Sequence, residues 1–92
     1  MNRETLEQTV STARAAIMSD IISARNEQGI SQRKLAEMSG IKQPVIARME
    51  NGTNSPQLDT VLKVLGALGK TLAIIPLEAT NAMAMYDPVD GE

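Results

Sequence analysis

The sequence predicts an all-α fold: a compact bundle of four to five helices containing a helix-turn-helix, with one short C-terminal β-strand pairing across a dimer. Three observations support this prediction. Apolar residues recur at helical spacing along residues 5–28 and again along residues 58–68. Between them, residues 32–51 (QRKLAEMSGIKQPVIARMEN) hold two short amphipathic stretches separated by Gly40. Residues 71–77 (TLAIIPL) are apolar and partly β-branched, which is typical of a strand.

Residues 5–28 are predicted to form one long amphipathic helix that ends at Gly29 and packs across the helix-turn-helix. Its first two turns extend beyond what a minimal domain of this kind needs. They form either a partner-binding arm or a solvated helix end. The apolar positions are Leu6, Val10, Ala13, Ile17, Ile21 and Ala24.

The helix-turn-helix prediction rests on small and apolar residues at the positions where two crossed helices touch. Ser31 is a good N-cap for the first helix of the pair, and Gly40 supplies the left-handed backbone that ends it. Ala36 is small enough for close approach, and Ile46 is predicted to pack against it. An ordinary helical hairpin is the alternative. The remaining core positions of the pair are Leu35, Ile41 and Met49.

The segments after residue 51 are predicted to form a last helix, a strand and a tail. Ser55 and Pro56 should cap and start the helix, and Gly69 should end it. A lone strand leaves backbone groups unpaired, so we expect residues 71–77 to pair with the same strand of a second subunit. A strand packed on its own domain is the alternative. The helix stripe is Leu58, Val61, Leu62, Leu65 and Leu68; the strand contacts are Leu72, Ile74, Ile75 and Leu77.

Length and composition indicate one domain over residues 1–78, followed by a flexible acidic tail, residues 79–92, that could instead order against a partner. The 92 residues include no Phe, Trp or Cys, so the core is expected to be aliphatic and free of disulfides. No apolar run approaches membrane-spanning length, and the first residues lack the apolar stretch of a secretion signal. We therefore expect a cytoplasmic protein with no membrane contact.

Positive charge is concentrated in the helix-turn-helix segment. The net charge is −2, which opposes nucleic-acid binding, but phosphate affinity depends on the local field. Residues 31–56 are the one positive segment, because four cations there face only two acids. The cations are Arg33, Lys34, Lys42 and Arg48, and the acids are Glu37 and Glu50.

The second helix of the pair is predicted to lie in the DNA major groove, with its first residues at base edges. Gln43 suits an adenine edge and Arg48 a guanine edge, unless Arg48 pairs with Glu50 or another acid. Pro44 and Val45 offer only apolar contact with a thymine methyl group. Backbone phosphates are expected to bind Arg33, Lys34, Lys42 and Thr53, although Arg33 and Lys34 could be merely solvated.

Residues 30–68 resemble the phage-repressor-like (Xre-type) helix-turn-helix family through the pattern S-Q-x-x-L-A-x-x-x-G-(I/V)-x-Q-x-x-I-x-x-x-E-N-G. The resemblance implies that Gln32 and Asn51 bind phosphates at the two ends of the motif, although Gln32 could only help to cap its helix. Glu50 is expected to be structural. Pro44 and Val45 depart from members with polar residues at these positions.

A second resemblance covers most of the chain. The long first helix, the motif and the segments S-P-Q-L-D-T-V-L-K-V-L and G-A-L-G-K-T-L-A-I-I-P-L are similar to HigA- and HipB-type antitoxins. That similarity implies a dimer that represses its own operon at a palindromic operator and binds a toxin, often an mRNA-cleaving enzyme. The alternatives are a stand-alone phage-like or metabolic repressor, and an interaction module that has lost DNA binding.

The sequence does not favour an enzyme. It has no His or Cys for nucleophilic, acid–base or metal chemistry, and no glycine-rich phosphate loop after a strand. We expect neither a cofactor nor a metal.

Overall fold

The computed structural model describes residues 2–77, which form four α-helices. They are α1 (Arg3–Glu27), α2 (Gln32–Ser39), α3 (Gln43–Glu50) and α4 (Leu58–Ala67). This order confirms the all-α fold, with α2 and α3 as the helix-turn-helix. The acidic tail, residues 79–92, lies outside the described residues.

Local signals set the ends of the first two helices. The Thr5 backbone N–H donates to Asn2 Oδ1 at 2.8 Å, which caps α1. The Lys34 backbone N–H donates to Ser31 Oγ at 3.0 Å, so the predicted cap of α2 is confirmed. Gly40 has φ 75°, the left-handed conformation that ends α2 and turns the chain towards α3.

The predicted start of the last helix was wrong. Gln57 is the N-cap of α4, and its backbone is extended at φ −68° and ψ 151°. Pro56 is half-buried in a groove that also contains Val10 and Ala13 of α1. The chain therefore stays extended past Pro56, and the helix begins at Leu58.

The buried core is aliphatic, as predicted, and draws on all four helices. Leu35 of α2 and Ile46 of α3 are fully buried, and α2 contacts both α3 and α4 while α1 contacts α3. Ala36 and Ile41 pack against this core from its edge. The buried residues are Met18, Ile21, Ala24, Leu35, Ile46, Met49, Val61, Val64, Leu65 and Leu68.

The predicted apolar stripe of α4 was partly wrong. Val64 is fully buried, whereas Leu58 is 62% exposed and Leu62 is also exposed. The buried face therefore carries residues 61, 64 and 65 of α4 and residue 68 just after it, a spacing that keeps them on one side of a helix. Both this face and the exposed face beside it carry apolar residues, so residue type alone does not show which one is buried.

The buried residues of α1 all lie in the C-terminal half of the helix. Leu6 and Val10 are more than half exposed, while Ile21 and Ala24 are buried. The predicted overhang of the first turns is therefore confirmed. None of the helices in residues 2–77 is both long and apolar enough to cross a membrane.

The segment after α4 has no regular secondary structure over residues 70–76 of the single chain. Ile74 is fully exposed, and its three apolar neighbours in the segment are also exposed: Leu72, Ile75 and Leu77. A ladder of backbone hydrogen bonds needs a second strand. The strand and its pairing across a dimer therefore stay predictions.

Two substitutions on α4 test the assignment of its buried face. Leu65→Ala should lower the free energy of unfolding by about 2–5 kcal/mol, because it empties a core site that is 5% exposed. Leu58→Ala removes the same atoms from an exposed site and should cost less than about 1 kcal/mol. Urea denaturation of the full chain measures both. Equal losses would contradict the assigned orientation of α4.

Candidate nucleic-acid interface

The predicted DNA-contacting residues lie at the start of α2, along α3 and in the turn after α3. Gln43 and Pro44 occupy the first positions of α3 and are exposed, as is Lys42 just before them. Arg48 is exposed one turn further on. The start of α2 is joined to this surface directly, because Gln43 Nε2 donates to Gln32 Oε1 at 2.8 Å.

Four side chains form a continuous series of hydrogen bonds that leads from the interior to this surface, here called the polar relay: Arg25, Glu50, Gln32 and Gln43. Gln32 Nε2 donates to Glu50 Oε1 at 2.9 Å. Arg25 donates to both oxygens of Glu50, from Nε to Oε2 at 2.7 Å and from Nη2 to Oε1 at 3.0 Å. Gln32 is therefore held by its neighbours in α3 at both ends of its amide.

The Arg25–Glu50 ion pair is the anchor of the polar relay. The two side chains are only 15% and 8% exposed, and the paired geometry is bidentate. Arg25 Nη1 also donates to the Ile30 carbonyl at 2.8 Å, which fixes the turn between α1 and α2. Among residues 2–77, no buried side-chain polar atom lacks a hydrogen-bond partner. Such complete pairing is what makes a buried charge tolerable.

This ion pair answers a question that the sequence left open, namely whether Arg48 pairs with Glu50. Glu50 is structural, as predicted, but its partner is Arg25 and not Arg48. Arg25 is not among the residues that the sequence marks as functional. The available signal was a lone arginine in the last turn of α1, and nothing local connects it to an acid 25 positions later.

The predicted cations lie in the first turn of α2, just before α3 and near the end of α3. Within the described part of the chain, Arg33, Lys42 and Arg48 make no ion pair. Lys34 lies 3.7 Å from Glu37, and both side chains are well exposed. A pair of that kind is weak and screened by salt. The surface around Gln43 therefore keeps its positive character.

Val45 fits its predicted role less well than Pro44 does. It is half-buried and packs against the core, so only part of its side chain is available to a base. Pro44 is exposed. Apolar contact with a thymine methyl group stays a prediction for both residues.

The turn after α3 holds Asn51 and Thr53 in a fixed geometry. The Thr53 backbone N–H donates to Asn51 Oδ1 and to the Arg48 carbonyl, each at 3.1 Å. Gly52 makes this turn possible with φ 76°. Because the oxygen of Asn51 is used inside the turn, its Nδ2 is left as the donor, which suits a phosphate oxygen. Phosphate binding by both residues stays a prediction.

The helix-turn-helix family model matches residues 21–75, which is more than half of the chain. The chain belongs to the helix-turn-helix family. The match contains the whole interface and the polar relay but begins late in α1. The first turns of α1, including Leu6 and Val10, lie outside it.

Several proteins of this helix-turn-helix family are similar to the chain. An uncharacterized HTH-type transcriptional regulator of Haemophilus influenzae is 51% identical over 72 residues, covering 78% of this chain and 74% of the relative. The HTH-type transcriptional regulator PuuR of Escherichia coli is 39% identical over 49 residues, covering 53% of this chain but only 26% of its own length.

A solved structure is more similar still in sequence. It is described as a toxin-antitoxin module from Streptococcus pneumoniae, and the matched chain is 65% identical with a TM-score of 0.67. The match covers 84% of this chain and 82% of that one. The predicted resemblance to repressor-like helix-turn-helix proteins and to antitoxins is confirmed.

Removing the anchor of the polar relay should destabilise the domain strongly. Glu50→Ala leaves the mostly buried Arg25 without its partner, so the free energy of unfolding should fall by on the order of 3 kcal/mol. Glu7→Ala is the matched control, because it breaks an exposed pair with Arg3 and should cost less than about 0.5 kcal/mol. Thermal and urea denaturation compare the two. A loss no larger for Glu50 than for Glu7 would rule out the anchoring role.

Proposed function

We propose that this chain is a sequence-specific DNA-binding repressor and the antitoxin of a toxin–antitoxin pair. The observation that carries the proposal is the surface of α3, where Gln43 lies between Lys42 and Arg48, two cations that form no ion pair within residues 2–77. The similarity to a toxin-antitoxin module over most of the chain supports the second half of the proposal.

The proposed binding mode places α3 in the major groove. Gln43 and Arg48 contact base edges, and Lys42 adds charge near the backbone. The positions that surround them hold the protein to the phosphates on both sides of the groove: Gln32, Arg33, Asn51 and Thr53. The base contacts give specificity, and the phosphate contacts give affinity and register.

A dimer is part of this proposal because one domain carries few cations. Residues 71–77 of two chains would pair as an antiparallel ribbon, bringing together exposed apolar side chains such as Ile74 and Ile75. The two copies of α3 then enter successive major grooves of a palindromic operator, with half-sites about 34 Å apart. Occupying the operator blocks transcription sterically.

The toxin is proposed to bind the N-terminal half of α1. Leu6 and Val10 lie exposed there, outside the part of the chain that the family shares. The groove beside Val10 continues the apolar surface towards Pro56 and Leu58. None of these residues is among the predicted DNA contacts, so we propose that a cytoplasmic complex binds toxin and operator together.

The alternative is a stand-alone repressor, which the similarity to PuuR and to the Haemophilus regulator also fits. The two are distinguished by the neighbouring gene and by co-purification. A toxin gene beside this one, and a small basic protein that purifies with the chain, favour the antitoxin. If no toxin gene lies beside this one and no such protein purifies with the chain, the stand-alone repressor is favoured.

Arg48→Ala should lower operator affinity by about 1–3 kcal/mol and relax specificity at one base pair, because it removes a base contact. Lys42→Ala should weaken binding to all sequences and reduce its salt dependence. Fluorescence anisotropy with DNA from upstream of the gene, at two salt concentrations, measures both. Shuffled DNA is the control.

Tight, salt-sensitive binding of the wild-type chain to the native fragment alone supports the repressor. Equal weak binding to both DNAs contradicts DNA recognition by the chain alone. Unchanged operator affinity in Arg48→Ala would show that α3 presents a different face to DNA.

Ile74→Lys should convert the dimer to monomers, because it places two charges in the proposed ribbon. Met38→Lys is the control, since it adds the same charge at an exposed apolar site on α2. Light scattering gives the mass of each variant. A dimeric Ile74→Lys protein would rule out the ribbon.

A further inference from the structure

The turn after α3 places an asparagine directly before a glycine, Asn51 and Gly52. In such a pair the backbone nitrogen of the glycine can attack the side-chain carbonyl carbon of the asparagine. The new N–Cγ bond forms as the Cγ–Nδ2 bond breaks, and ammonia leaves with the proton of the glycine nitrogen. Water then opens the resulting succinimide ring to aspartate or isoaspartate. Glycine favours the attack because it has no side chain to obstruct it.

The surroundings of this pair leave room for the reaction. A Cβ built on Gly52 would meet no heavy atom within 4 Å, so the space beside this residue is open. Asn51 and Thr53 are exposed on either side of it, so water can reach the ring. Asn51 is also the one asparagine of the sequence that precedes a glycine.

The closed turn keeps the two reacting groups apart. Asn51 has φ −93° and ψ 4°, which turns the Gly52 nitrogen away from the Asn51 Cβ, whereas ring closure needs both on the same side of the Cα–C bond. The Gly52 N–H also donates to the Met49 carbonyl at 3.2 Å, and Asn51 Oδ1 accepts from the Thr53 N–H at 3.1 Å. The reaction therefore requires this exposed turn to open, which local unfolding allows without unfolding of the core.

Deamidation removes the donor at the proposed phosphate contact. Because Oδ1 is used inside the turn, Nδ2 is the group that Asn51 offers to a phosphate oxygen. An aspartate has only acceptors and a negative charge, so it repels the phosphate. Its carboxylate can still accept from the Thr53 N–H, which keeps the turn closed. An isoaspartate adds a carbon to the main chain and displaces the turn as well.

We propose that Asn51 and Gly52 form a deamidation site whose conversion ends operator binding, and that the closed turn and bound DNA slow this conversion. The inference rests on the proposed function, because it requires Asn51 to contact a DNA phosphate. A phosphate held by Nδ2 keeps the turn closed and so protects the amide. A chain that stays away from its operator therefore loses DNA binding with time, without the action of an enzyme.

The experiment follows the full chain at neutral pH in three states: free, bound to operator DNA, and unfolded in urea. Peptide mass spectrometry locates the acid formed at each asparagine. Conversion at Asn51 in the free protein should exceed that at Asn26, which lies inside α1 and precedes Glu27. It should be fastest in urea and slowest with DNA. The fraction of free protein that still binds the operator, measured by anisotropy, should fall in parallel with conversion.

Two variants separate loss of the amide from a general effect of charge. Asn51→Asp is the reaction product and should bind the operator about tenfold more weakly, because it loses a hydrogen bond to a charged group. Asn54→Asp adds the same charge in the same exposed loop but outside the predicted DNA contacts, and should reduce affinity much less. Thermal unfolding of both variants should match that of the wild type.

Each part of the inference has its own contrary result. Conversion at Asn51 no faster than at Asn26 in the folded chain would overturn the deamidation site. An Asn51→Asp protein with wild-type affinity would overturn the loss of operator binding, and equal conversion with and without DNA would overturn the protection. Equal binding of fresh protein to operator and shuffled DNA would overturn the proposed function, while the mass spectra would still decide whether Asn51 deamidates.

Discussion

The buried ion pair between Arg25 and Glu50 is the contact on which the geometry of this domain depends. It joins the last turn of α1 to the last residue of α3, with both side chains largely withdrawn from solvent. An ion pair in that position is acceptable only when its remaining hydrogen-bonding groups are satisfied. Ile30 and Gln32 supply those partners, so the pair also fixes the start of α2.

The aliphatic core and the polar relay make different contributions. Burial of side chains such as Leu35, Ile46 and Val64 supplies most of the stabilisation, but apolar contact has little directionality. Apolar burial alone therefore does not fix the angle at which α2 crosses α3. The hydrogen bonds from Arg25 through Glu50 are directional, so they select one crossing. DNA recognition needs that selection, because hydrogen bonds to base edges have narrow limits of distance and angle.

The two ends of the described chain carry apolar surface that the domain does not bury. Leu6 and Val10 lie on the projecting turns of α1, and Ile74 lies in the segment after α4. Apolar surface of this kind marks sites of protein association. The two surfaces correspond to the two associations proposed here, with a toxin and with a second copy. The DNA-contacting surface lies between them in the sequence.

The sequence by itself determined the helical class, the helix-turn-helix and most helix ends, because these depend on local chemistry. Ser31 and Gly40 act on the backbone within a few residues, so their effects are visible in the sequence. Tertiary structure alone decided that Glu50 pairs with Arg25, that Val64 is buried in place of Leu58, and that α4 begins after Pro56. Each outcome depends on which helix surfaces meet in the folded bundle. The residue type at one position does not show that a residue 25 positions away in the sequence becomes its neighbour.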